Sequence, residues 1–141
     1  TSLAALEYAY SLCLQAQAAL SALNVYSVPA HYFPFIPVKD MNSALEKNAR
    51  KGYDKFLKSA KQKGIIEADI PGEVVFSKGN SNGEVIYEHA VRKRSNMIVV
   101  GARGRGAWAS LLGSVTVQLI KKDMYIPLLI VRGKPTKKGK S

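Results

Sequence analysis

The residues best placed to do chemistry lie between Gly101 and Thr116: Gly101-Ala-Arg103-Gly104-Arg105-Gly106, a short spacer, then Gly113-Ser114-Val115-Thr116. Gly101 and Gly104 follow the apolar run Met97-Ile-Val-Val100, which reads as a buried strand. Open α/β sheets take ligands at that carboxyl end. Gly113-Ser114 opens a helical pattern, whose free N–H groups and positive dipole end favour an anion such as a phosphate. Glycine there admits a close backbone approach. The Ser114 and Thr116 hydroxyls and the guanidinium of Arg103 or Arg105 are candidate further donors. The glycines run G-x-x-G-x-G, which is neither the dinucleotide fingerprint nor a P-loop. Glycines after a strand are most often plain turn formers, so the signal is the whole series of strand, G-x-x-G, spacer, Gly-Ser and helix.

Other chemistry is sparse. Cys13 falls on an apolar helical stripe and reads as a small buried hydrophobe. His31 and His89 are the only histidines, and without spaced cysteines they make no metal site. Trp108 sits inside the spacer and reads as a packing residue. No carboxylate pair or Ser/His/Asp grouping declares an active site, so catalysis is expected to be absent, or limited to slow phosphate chemistry at Ser114.

The elements that must position the segment are legible in part. Leu3, Leu6, Tyr10, Cys13 and Leu14 share a helical stripe capped by Ser2, and Leu20–Val28 reads as a strand. Residues 30–38, with Pro34 and Pro37, read as a loop. Ser43-Ala-Leu-Glu46 is a capping box opening a helix that Gly64 closes, and Ser81-Asn-Gly-Glu84 is a second, opening a helix to about Arg94. Strands are expected at Glu73–Ser77, Met97–Val100 and Pro127–Arg132, with a last helix over Ser114–Lys122. The order αβαβαβαβ, with strands apolar throughout, describes a parallel sheet covered by helices on both faces.

Composition bounds the partners. The chain has 141 residues, net charge +11 and a single cysteine, which suits one domain in a reducing, cytoplasmic compartment. Residues 1–38 carry one charge, Glu7, yet polar residues interrupt them too often for a spanning helix. Membrane insertion is not expected. The lysine-rich surfaces read as solvated helix faces, with nucleic acid an unlikely partner, and 133–141 as a basic, disordered tail.

Asn96-Met-Ile-Val-Val-Gly-Ala-Arg-Gly104, with Leu111-Leu-Gly-Ser-Val-Thr116 and Ile126-Pro-Leu-Leu-Ile-Val-Arg132, resembles the universal stress protein domain. The segment from Gly79-Asn80 through Ala90, Leu3–Ala9 and Leu20–Val28 fit as well, so the resemblance spans residues 1 to about 132. It implies a three-layer αβα sandwich around an open, mostly parallel sheet, flavodoxin-like or Rossmann-like, of the adenine nucleotide α-hydrolase-like group. It also implies ATP or AMP as ligand, with magnesium possible beside ATP. The matching contacts are Val25 to adenine and Gly101, Gly104, Gly113, Ser114, Val115 and Thr116 along ribose and phosphates, Arg103 adding charge. Homodimerisation through Ile126–Val131 is implied too. Eight residues separate Gly104 from Gly113, where the family has nine. The family's first strand, central in its order 3-2-1-4-5, and the aspartate after it have no counterpart, so the chain is expected to be a fragment. Two functions follow. The first is a stress-response module regulated by nucleotide through dimer and partner contacts. The alternative is a dimerisation or sensor domain whose degenerate site no longer binds nucleotide.

Overall fold

A computed structural model describes residues 2–26, 38–77, 81–102 and 113–133, with the side chains of 38–42 outside that description. Eight elements alternate: α1 (Ser2–Ala16), β1 (Ala22–Tyr26), α2 (Val38–Gln62), β2 (Gly72–Phe76), α3 (Asn82–Arg92), β3 (Ile98–Gly101), α4 (Ser114–Lys121) and β4 (Leu128–Val131). The expected order holds, and so does the α/β class with parallel strand pairing.

The strands do not form one sheet. β1 pairs with β2 and β3 with β4, each in parallel, giving two two-stranded sheets. Between them no described strand bridges β1 to β3. The continuous sheet expected from the element order is therefore interrupted at its centre, where the resemblance implies a further strand.

The helices cover two faces. Successive residues of a strand point to opposite sides, and β2 shows which helix takes which side. A Cβ on Gly72 would fall on the Tyr53 hydroxyl of α2, while the neighbouring Glu73 reaches His89 and Lys93 of α3. Leu6 of α1 joins Ala60 of α2, Ile65, Ile66 and Ile70 in the main core cluster. α3 and α4 pack together on the opposite side, where the Gly83 N–H donates to Gln118 Oε1 at 2.9 Å. Gly83 is needed there, because a Cβ would lie 2.7 Å from Gln118 Cβ.

Local chemistry explains most boundaries. Ser81 caps α3, its Oγ accepting from the Glu84 N–H at 3.2 Å, as the second capping box predicts. Gly64 follows α2 with φ +73°, the left-handed geometry that a helix-ending glycine supplies at no steric cost. The first capping box does not start its helix. α2 begins at Val38, five residues before Ser43, directly after Pro37 in sequence. Near the end of α2, Lys61 reaches Asp69 at 2.8 Å. α1 also differs in detail. Ser2 lies within the helix, and the buried residues are Ala4, Ala5, Leu6 and Ala9, while Leu14 is exposed. Close helix packing favours the small alanines over the larger Leu14.

Candidate phosphate site at the end of β3

The chain leaves β3 at Gly101, and two ties bring it back. The Gly113 N–H donates to the Ala102 carbonyl at 2.8 Å, and the Thr116 hydroxyl donates to the Gly101 carbonyl at 2.8 Å. The Ala102 N–H donates in turn to Val131 of β4, which fixes the strand end from the other side. The start of α4 is thereby clamped against the carboxyl end of β3. Thr116 is 3% exposed and Ala102 1%, so this clamp is buried, while Ser114 stands exposed at the surface.

Gly113 is the N-cap residue, extended at φ −66° and ψ 157°, with no side chain to close the helix end. The first helical backbone bond runs from the Val117 N–H to the Gly113 carbonyl at 3.0 Å. Ser114, Val115 and Thr116 therefore precede the intrahelical ladder, and their N–H groups have no acceptor within it. Three donors at the positive end of a helix dipole, with a glycine before them, are an arrangement whose chemistry favours an anion.

Gly101, Gly113, Ser114, Val115 and Thr116 are thus brought together as the sequence predicts. Thr116 has a different part from the one expected: a hydroxyl has one proton to give, and here it goes to Gly101. Its hydroxyl braces the helix start, which leaves its backbone N–H as its remaining donor. Val25 lies near the carboxyl end of the other sheet, paired with Val75, and does not line the cleft that Asn24 shares with Gly101 and the α4 start. Arg103, Gly104, Arg105 and Trp108 lie outside the described residues, as does His31. Among the described residues no group of three potential ligands could hold a metal ion, and no helix is long and apolar enough to cross a membrane.

Sequence reasoning missed two contributors. The Gln118 contact to Gly83 sets how α4 approaches α3, and its signal was a glycine inside a capping box. His89, 8% exposed, lines the cleft and stands 3.6 Å from Glu73 Oε2 and 3.3 Å from Arg92. Burial lowers its pKa below the usual value, and this outweighs the opposing pull of Glu73. Lys93, bonded to Glu73 at 2.9 Å, holds that carboxyl below the usual carboxylate range.

The model of the universal stress protein family matches residues 1–132. The chain belongs to that family. It is similar to the universal stress protein YxiE of Bacillus subtilis (strain 168), with 30% identity over 91% of this chain and 88% of the relative. Among solved structures it is similar to the universal stress protein UspA from Lactobacillus plantarum, at 18% identity and a TM-score of 0.61, covering 93% of this chain and 88% of the other. It is also similar to a universal stress protein solved in complex with cAMP, at 21% identity and a TM-score of 0.55, covering 94% and 88%. Likeness at these identities establishes the shared fold, and the family match places the described cradle within a Rossmann-like α/β domain.

Proposed function

We propose that this universal stress protein binds an adenine nucleotide, ATP or AMP, with its phosphates at the N-terminus of α4. The observation that carries this reading is that the N–H groups of Ser114, Val115 and Thr116 precede the helical ladder, at a helix start held against the strand end by the Thr116–Gly101 bond. The structural relative solved with cAMP supports an adenine nucleotide as the ligand class. The exposed Ser114 hydroxyl adds a donor, and Arg103 and Gly104 supply charge and close approach from the loop. Val25 contributes a backbone contact to the base at the end of β1. Magnesium, when ATP is bound, is carried by the phosphates, which already provide the oxygen ligands it favours.

Nucleotide occupancy acts on association with a second copy, in a cytoplasmic regulator of stress responses. Support for the dimer comes from β4, whose partner among the described strands lies on one edge only, leaving the outward groups of Leu128 and Ile130 for strand pairing. Tyr125, 89% exposed, and Ile126 immediately precede that edge. Isothermal titration of the 141-residue chain with ATP, AMP and adenosine tests the reading. ATP and AMP are expected to bind and adenosine to bind much more weakly. Equal binding of adenosine and ATP would place recognition away from the phosphate cradle.

A further inference from the structure

α3 follows β2 and α4 follows β3, so each helix opens beyond the carboxyl end of a strand. Their N-termini are finished differently. At α3 the Ser81 hydroxyl accepts from the Glu84 N–H at 3.2 Å, and Gln118 Oε1, from α4, accepts from the Gly83 N–H at 2.9 Å. At α4 the cap is Gly113, which has no side chain to offer. Two free donors of α3 are thus taken within the protein, and one of them is taken by the helix that carries the candidate phosphate site.

That bond keys α4 to its neighbour. Gly83 is buried, and a Cβ there would stand 2.7 Å from Gln118 Cβ and 3.4 Å from the Gln118 carbonyl carbon. The two helices therefore meet more closely than a residue with a side chain would allow at position 83. One turn on, Lys122 Nζ lies 5.2 Å from the centroid of the Tyr87 ring, a cation–π contact. Gly83 to Tyr87 and Gln118 to Lys122 are equal steps along one face of each helix. α3 and α4 therefore run side by side in the same direction, with their register fixed at two points. α3 is itself seated on β2 through the Lys93–Glu73 pair at 2.9 Å and the buried His89 beside it.

α4 has eight residues, and its ties face different ways. Thr116 and Leu119, 3% and 0% exposed, lie one turn apart on the inner face, where the Thr116 hydroxyl holds Gly101. Two residues turn a helix by about 200°, so Gln118 projects from the side away from Thr116. A tie on one side alone leaves a short helix able to roll about that contact, and a second on the far side stops it. Rolling would redirect the N–H groups of Ser114, Val115 and Thr116, which stand at the end of this same helix.

We infer that Gln118 is a positioning residue for phosphate. By holding the Gly83 N–H it fixes the roll and register of α4, and with them the direction of the Ser114, Val115 and Thr116 N–H groups. That role rests on the nucleotide reading, since it needs phosphate at the α4 N-terminus. Donors in a binding site must be held to within about 0.5 Å by the groups behind them. Without the Gln118 acceptor the buried Gly83 N–H is satisfied only when water enters and the helices part.

Calorimetric titration of the 141-residue chain with ATP and adenosine, well below the melting midpoint, tests it. Gln118→Met keeps the length of the side chain and removes the acceptor, whereas Gln118→Glu keeps an acceptor for the Gly83 N–H. The methionine variant is expected to bind ATP about tenfold more weakly, as for one lost bond to a charged group, and adenosine as before. The glutamate variant is expected to regain most of the ATP affinity. Gly83→Ala keeps both hydrogen-bonding groups but forces the helices apart. It is expected to lose ATP affinity in the same way, and it decides the matter if the methionine variant does not fold. A lowered melting midpoint with unchanged ATP affinity would overturn the inference, as would an equal loss for adenosine or no recovery with glutamate. An unaltered chain that binds no ATP would overturn the nucleotide reading as well. ATP bound equally by the unaltered chain and the methionine variant leaves that reading standing and removes only the role of Gln118.

Discussion

Replacing Ser114 with proline isolates one donor of the phosphate cradle. Ser114 is the first helical residue after the Gly113 cap, a position where proline's missing N–H breaks no intrahelical bond. The residue ahead of a proline must be extended, and Gly113 already is, at φ −66° and ψ 157°. Ser114→Pro therefore leaves α4 intact while deleting one backbone donor and the hydroxyl. A hydrogen bond to a charged group contributes ~1.5–3 kcal/mol. At about 1.4 kcal/mol per factor of ten, losing the N–H weakens ATP binding roughly 10- to 150-fold. Ser114→Ala removes the hydroxyl alone, so the difference between the two variants measures the backbone group. Titration calorimetry at fixed salt gives the affinities, and circular dichroism checks that helix content and melting midpoint are kept. Ser114→Pro binding ATP as tightly as Ser114→Ala, with α4 folded, would refute the placement of phosphate at this helix end.

Other outcomes follow from the same geometry. Thr116→Val keeps the buried volume but leaves the Gly101 carbonyl without its donor, a loss of about 1–2 kcal/mol that Thr116→Ser is expected to restore in denaturant unfolding. Tyr53→Phe removes a buried hydroxyl with no partner among the described residues, so the melting midpoint is expected not to fall. His89 has a lowered pKa in the folded state, so the unfolded chain takes up its proton first as pH falls. Stability is therefore expected to drop as pH passes below the usual histidine value of 6.5 toward the lowered one, and His89→Gln to flatten that part of the profile. Ile130→Pro removes an outward N–H of β4 but none that bonds β3, and sedimentation is expected to show a monomer in place of a dimer.

What could be read from the sequence was what local chemistry decides. The Ser81 cap, the Gly64 turn, the Gly113 start of α4 and the apolar strands all sit at or within a residue or two of their expected places, because each depends on a few neighbours. Ser43 shows the limit, since a good cap does not act when the residues before it also take helical geometry. Contacts between distant residues were not legible. The Thr116 hydroxyl was expected to face a ligand, and its true partner is fifteen residues away on another element. The burial of His89 and its approach to Glu73 depend on how α3 lies on β2, which no spacing reveals. The open centre of the sheet was foreseen only through the family resemblance, because pattern alone does not tell which strands are neighbours.

The central claim is that phosphate meets the backbone of Ser114, Val115 and Thr116. The most direct measurement is an amide chemical-shift titration of the labelled chain with ATP, run beside adenosine. The account predicts that ATP moves those three resonances together and saturably, in step with the calorimetric affinity, while adenosine leaves them nearly in place. Saturable ATP binding with all three resonances unmoved would contradict it.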